Sequence, residues 1–402
     1  MFSSKLTRGS LLTDPRVISI LLIQIVGLLG TNAPPPVLGL MATDIGVSDT
    51  EIGLVMTVFA LPGILMVPIA GVLADIFGRR RIVLFSLLVL GTAGVAIGFT
   101  ENFHFILLLR AIQGIGYAGT TPLTVTLIGD LTSGPEGSKA QGYLVSASGA
   151  ASVFIPAISG FVLRFGWESS FYLFGVIFIV IMIVYVTLPE TLSPDNQASG
   201  AELISTIRTY IRSITAELKD IDFALLYVGA FVEYFVKYGM FTFLPLFAIR
   251  IFGTSGFIAG VLISVYGFVR MVVSLFTKQF TSIFGLKYAI VASTGISALG
   301  IGFIAVAPGI PSIVAAVVVY SIGDAFLAAL LNDMTTKKSQ AEHRGGIVSG
   351  LNMMKNIGKA AAPALLGGLL AITSFSGLFF LSAGLLGVYL ILAVGLLSPV
   401  EM

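Results

Sequence analysis

Stretches of about twenty mainly apolar residues recur along nearly the whole chain, and this constrains the fold more than any other feature. A bilayer core about 30 Å thick takes roughly 20 such residues per spanning helix. Hydrophobic residues make up 56% of the 402 and charged residues only 10%, whereas a soluble domain carries about a quarter charged. The chain must therefore lie mostly in lipid. Twelve helical spans can be placed, at 16–42, 51–73, 82–100, 105–128, 140–163, 169–188, 222–249, 256–276, 288–306, 311–332, 346–369 and 376–398. Lys5, Arg8 and Arg16 precede the first run as they would in a signal peptide. That run is long and no small-residue cleavage site follows it, so it reads as an uncleaved first helix.

An even number of spans puts both ends of the chain on one side. Fifteen lysines and arginines, from Lys5 to Arg344, fall on that side, against Arg164 and Arg250 alone on the other. Basic loops stay cytoplasmic, so both termini are expected there, in a multi-pass protein of the cell membrane. Residues 189–221 form the one long polar stretch and divide the chain into a bundle over 1–188 and a second over 222–402. Within that linker Leu203, Ile204, Ile207, Ile211, Ile214 and Leu218 recur at helical spacing opposite Arg208, Arg212 and Lys219. This is the pattern of an amphipathic helix on the membrane surface, serving as a tether or a regulator. The halves repeat: Gly285 follows Gly78, Gly323 follows Gly116 and Pro363 follows Pro156, each at the same interval of 207. The expectation is an all-α membrane protein of twelve helices in two pseudo-symmetric six-helix bundles, with its substrate site between them.

The turn between the second and third spans reads GVLADIFGRRR, Gly71 to Arg81. Gly71 suits close helix approach, Gly78 the turn itself, and Arg79, Arg80 and Arg81 hold the loop in the cytoplasm. Asp75 can bind those arginines, or the positive N-terminus of another helix in a contact that breaks when the bundles move. Otherwise the loop is only a topology signal. This loop resembles the signature of the major facilitator superfamily, and LPET at 188–191 is similar to a frequent ending of its sixth helix. The resemblance covers the whole chain and is nearest to the twelve-helix drug:proton antiporters. It implies a twelve-helix transporter in which Asp75 and the arginines form a cytoplasmic latch favouring the outward-open state. The second half has SIFGLKY at the matching place, with Ser282 where Asp75 stands, so its half of the latch is degenerate.

In the fourth span, RAIQGIG sets Arg110 and Gln113 one turn apart on one face. A cation there needs a partner or water. The pattern is similar to the fourth-helix motif of the antiporters, where the arginine is implicated in coupling proton and substrate. The other reading is a structural arginine bonded to carbonyls. In the fifth span Gly142, Gly149, Pro156 and Gly160 suit close packing and a bend. They resemble the antiporters' Gly-Pro motif, but depart from it at Ile155 and Ser159.

The remaining ionisable residues inside spans are Glu233, Lys237, Arg270, Asp324, Lys355 and Lys359, all in the second half. Such groups are functional candidates by default. Glu233 and Lys237 are four apart, which suits either an internal ion pair or a proton-carrying Glu233. Asp324 has no obvious partner on its own helix and is a second proton-site candidate. The first half offers Gln24 and Asn32 but no acid. With Arg110 the buried cations number five against two acids, a bias that suits an anionic or zwitterionic substrate. Three further features read as structural: Pro34, Pro35 and Pro36 as the end of the first helix, Ser48 to Glu51 as a capping box, and Trp167 at the outer interface.

No cysteine is present, which removes disulfides and thiolate chemistry. His104 and His343 sit in loops without metal-ligand neighbours, so no metal is expected. A net charge of +2 gives no nucleic-acid footprint. No phosphate-binding loop supports ATP-driven transport, and neither an enzyme nor a cofactor is expected. What remains is secondary transport: proton-coupled efflux of small amphipathic molecules or drugs by a monomer, or uptake or exchange of a small organic anion or metabolite. A transport-fold receptor is a third class, without a signalling domain to support it.

Overall fold

The computed structural model describes residues 11–192, 220–339 and 344–399. Lys5, Arg8, His343 and the amphipathic stretch at 203–218 lie outside the described residues. Twelve long helical elements follow in order: α1 (Pro15–Ile45), α2 (Leu54–Phe77), α3 (Arg79–Ile97), α4 (Phe103–Ala118, resumed over Thr121–Leu131), α5 (Gly134–Phe165) and α6 (Glu168–Thr187), then α7 (Ile221–Phe252), α8 (Gly256–Ser274, resumed over Thr277–Phe284), α9 (Leu286–Ala305), α10 (Ile310–Lys338), α11 (Arg344–Leu370) and α12 (Phe375–Leu396). Among the described residues ten helices are long and apolar enough to cross a membrane. The other two of the twelve are α4, interrupted at Gly119 and Thr120, and α11, which carries Lys355 and Lys359 in its middle.

Helix ends are set by local chemistry. Asp14, Asn102, Ser255 and Ser374 each accept a backbone N–H at the start of a helix, at 2.8, 3.1, 3.4 and 3.1 Å, satisfying donors that the first turn leaves open. The hydrogen bond from Arg16 also holds the Asp14 carboxyl below its ordinary range. Gly46 and Gly253 end α1 and the long α7 with φ of 75° and 62°. Ser48 and Glu51 exchange capping-box hydrogen bonds of 3.4 and 3.3 Å, but α2 settles into regular helix only at Leu54.

Two hydrophobic cores form, one from Leu11 to Leu188 and one from Leu225 to Leu397; Leu246 of α7 packs into the first. The internal repeat is visible in their packing. Gly116 lies so close to Ser86 and Leu90 that no Cβ would fit, and Gly323 meets Ser293 and Ser297 in the same way. Each pair is offset by the 207 residues read from the sequence. Gly78 and Gly285 occupy matching turns with φ of 101° and 71°.

The bundles meet along two repeat-related seams. Gly53, entering α2, approaches the carbonyl of Pro363 in α11, and its counterpart Gly260 in α8 approaches the carbonyl of Pro156 in α5. Both contacts lie toward the face that carries the loop 46–53, called distal below; the Gly78 and Gly285 turns lie on the proximal face. Beyond them the seams differ. The α5–α8 seam continues, Gly267 against Ser152 and Gly149 against Met271. In the α2–α11 seam the corresponding places hold Ala60 and Lys359, and space opens around Gly63 and Gly71. The distal face is thus closed by close backbone approaches in both seams, while toward the proximal face neither Gly63 nor Gly71 of α2 makes such an approach.

Four sequence readings need correction. Gly71 and Gly142 have open space around them, so neither serves close packing, although Gly149, Pro156 and Gly160 do pack across the α5–α8 seam. Pro34 to Pro36 do not end α1: a short 3-10 turn at Pro35–Val37 is followed by helix to Ile45, because each proline ring still permits helical φ and only a donor is lost. Trp167 is 1% exposed and packs on Phe171 with ring centroids 5.9 Å apart, so it fills the end of the first core and does not face lipid.

Candidate functional site: a buried polar centre between the bundles

Glu233 and Lys237 lie one turn apart on α7, buried on all sides, with Oε1 and Nζ 3.0 Å apart. The second oxygen of Glu233 is buried and has no hydrogen-bond partner. A carboxyl group half-satisfied in this way carries a desolvation cost that a second donor or a proton would offset. Lys237 Nζ also sits 3.6 Å from the ring centre of Tyr234, an attraction of about 0.5–2 kcal/mol.

Asp324 of α10 is 1% exposed and fully engaged. One oxygen accepts from Arg270 of α8 at 2.9 Å and from the Tyr266 hydroxyl at 2.6 Å; the other accepts from Tyr320 at 3.4 Å. Tyr320 lies one turn earlier on the same helix, so the expectation of no partner on that helix was wrong: a phenol partners a carboxylate as well as a base does. The Arg270 side chain keeps 30% of its surface exposed, so this charged pair reaches open space.

Arg110 presents a different picture. It is fully buried; Nε donates to the Val55 carbonyl at 2.9 Å, both terminal nitrogens to Gly30 at 3.3 and 3.2 Å, and Nη1 also to Gln113 Oε1. Its guanidinium stands 4.3 Å from the Phe59 ring centre. These contacts tie α4 to α1 and α2, as in the structural reading of this residue. Gln113 Nε2 and Asn32 Nδ2 are buried without partners. Gln24 is satisfied by Ser148 and Thr124 at 2.8 and 2.6 Å and belongs to the packing of the first bundle.

Two lysines of α11 complete the centre. Lys355 donates to Asn332 at 2.7 Å. Lys359 is 6% exposed and lies among three rings, 5.3 Å from Phe59, 4.6 Å from Tyr117 and 5.1 Å from Tyr238. The sequence reading missed these aromatic residues, although the repeat held a clue: at an interval of 207, Tyr266 and Asp324 take the places of Phe59 and Tyr117. The second half has turned an aromatic contact into a charged one.

On the proximal face Asp75 pairs with Arg79 at 3.1 Å within its own loop. Arg79 also pairs with Asp130, its backbone N–H donates to Glu190 at 2.9 Å, and Arg80 donates to the Tyr185 carbonyl. All these partners belong to the first bundle or, for Glu190, to the start of the linker that follows it. Ser282, at the place of Asp75, bonds only back to Gln279 at 2.8 Å. Among the described residues no three histidine, cysteine or acidic side chains gather as a metal site would need.

Two repeat-related bundles of membrane helices closing on a buried, charged centre define a multi-pass membrane transporter. The profile of the Major Facilitator Superfamily matches residues 20–277 and 226–401, and the chain belongs to that superfamily. It is 32% identical over 158 residues to the Bacillibactin exporter of Bacillus subtilis (strain 168), a stretch covering 38% of this chain and 39% of that protein. With Multidrug resistance protein 1 of the same organism it shares 25% over 287 residues, 67% and 69% of the two chains. The human organic anion transporter MFSD10 (TETRAN) has the same fold, with a TM-score of 0.69 at 18% identity over 94% of this chain and 99% of that one. Membership of this superfamily places the chain among membrane transporters, which are not enzymes.

Proposed function

We propose that this chain exports small amphipathic molecules in exchange for protons, working as a monomer in the cell membrane with both termini cytoplasmic. The observation that carries this reading is the bare oxygen of Glu233. A buried carboxylate with one cationic partner and one empty acceptor can take up and release a proton as its surroundings open to either side. The bundle over 222–402 thereby becomes the seat of coupling. Asp324, held by three donors, keeps Arg270 in position, and Arg110 braces the helices of the bundle over 1–188. The proximal face is cytoplasmic by its basic loops, and close backbone contacts at the distal face alone suit an inward-open conformation. Among the described residues Asp75 and Arg79 pair within the first bundle and not with the second, as a released latch would. The sequence relatives named as exporter and multidrug resistance protein support export.

Purified protein in proteoliposomes with an imposed pH gradient tests the reading. Gradient-driven movement is expected for some members of a panel of amphipathic compounds. No movement of any member with either gradient polarity would sink it.

A second reading, uptake or exchange of a small organic anion, has its own observation: Arg110, Lys355 and Lys359 have no acidic partner among the described residues. The name of MFSD10 points the same way. If Lys355→Ala and Lys359→Ala leave anion uptake unchanged, this reading fails.

A further inference from the structure

Lys359 differs from every other buried cation here. Lys237 has Glu233, Arg270 has Asp324, Arg110 has backbone carbonyls and Lys355 has an amide oxygen. Among the described residues Lys359 has neither a carboxylate nor a hydrogen-bond acceptor, only the faces of Phe59, Tyr117 and Tyr238. Ring faces recover part of the hydration a buried ammonium loses, but they leave its charge uncompensated. Its place is also particular. Lys359 stands where its repeat counterpart Ser152 closes the other seam against Gly267.

The rings around it come from both bundles. Phe59 and Tyr117, 5.3 Å apart, belong to the first; Tyr238, stacked on Tyr234 at 5.9 Å, belongs to the second. Tyr234 in turn lies under Lys237 and 5.8 Å from Lys355. A flat apolar ligand carrying one negative charge would match both properties: its ring would lie against these faces, and its anion would supply the counter-charge that Lys359 lacks. A cationic ligand would add charge of the same sign to an excess already present.

The geometry points to a substrate subsite for aromatic monoanions, with Lys359 holding the acid group and Phe59, Tyr117 and Tyr238 the ring. This rests on the transport reading and names the substrate class of that centre. A ligand bound so touches both bundles and leaves only when they separate, which ties its occupancy to the alternating motion.

The test uses the full-length protein in nanodiscs and three isosteric probes measured by calorimetry: naphthoate, naphthalenemethanol and naphthylmethylamine. Naphthoate is expected to bind at least about tenfold tighter than the amine, and Lys359→Gln to weaken it by about tenfold or more. Lys359→Arg should stay within about threefold of wild type, and Tyr117→Leu should lose about three- to tenfold. Amine binding equal to naphthoate binding overturns the assignment, and so does naphthoate binding unaffected by Lys359→Gln. If that variant does not fold, the isostere comparison on wild type and the arginine variant decide. Proton-driven flux of the same protein reconstituted in proteoliposomes separates the two readings. Lys359-dependent naphthoate binding without driven flux upholds the subsite and removes the coupling. Driven flux with binding independent of Lys359 removes the subsite alone.

Discussion

Arg250 at the distal end of α7 grips Asp49 in the loop between α1 and α2, with Nη2 2.8 Å from one oxygen and Nε 3.1 and 3.0 Å from the two. Its remaining nitrogen donates to Thr43 at 2.9 Å. One side chain of the second bundle thus holds two groups of the first, at the end where the glycine seams already close the molecule. A two-pronged pair of this kind is about as strong as partly exposed ion pairs become, near 1 kcal/mol.

Arg250→Ala should therefore shift the balance away from the distally closed state by about fivefold. The natural chain has no cysteine, so spin labels at introduced Ser48→Cys and Ile251→Cys report the separation directly. A growing long-distance population is expected, and an unchanged distribution would show that the glycine seams alone hold this face.

Arg110 should behave as a brace. Arg110→Ala leaves the acceptors around Gly30, Val55 and Gln113 without their donor, at a cost of about 1–3 kcal/mol. Lysine, with no planar fork, should not restore it. Thermal unfolding of the solubilised protein checks this; full stability combined with lost coupling would return Arg110 to the coupling role.

Asp75→Asn removes one of the two acidic partners of Arg79 on the proximal face, leaving Asp130, while touching nothing in the buried centre. Turnover should fall several-fold with substrate affinity unchanged. A normal turnover rate would refute the latch.

Asp324→Asn should be costly to the fold as well as to transport. It strands the Arg270 cation beside the Tyr266 phenol, at about 1–3 kcal/mol for a pair whose Arg270 end stays partly exposed. Tyr320→Phe removes only the longest of the contacts to Asp324 and should be far milder in the same melting assay. Equal losses would mean that Asp324 is not organised by Arg270.

Much of the fold was legible because hydropathy and a fixed repeat interval are properties of the chain itself. The interval that aligned Pro156 with Pro363 also aligns the two seam contacts made at their carbonyls. The site was legible only as a set of charges. Sequence spacing finds partners on one helix, as with Glu233 and Lys237, but the Arg270–Asp324 and Arg250–Asp49 pairs join separate helices or separate bundles. The aromatic box around Lys359 was hidden for another reason: in a chain this apolar, Phe59 and Tyr117 read as ordinary core until the cation among them is placed. Gly71 and Gly142 misled because a glycine marks where approach is permitted, not where a neighbour lies.

The central claim is that Glu233 carries the coupling proton. The most direct measurement compares wild type with Glu233→Gln in one batch of proteoliposomes, reading both pH-gradient-driven flux and substrate counterflow without a gradient. The account predicts that driven flux falls to background while counterflow persists at near the wild-type rate, because glutamine keeps the shape and the bond to Lys237 but cannot exchange a proton. Driven flux at the wild-type level in Glu233→Gln would contradict it and place the proton site elsewhere.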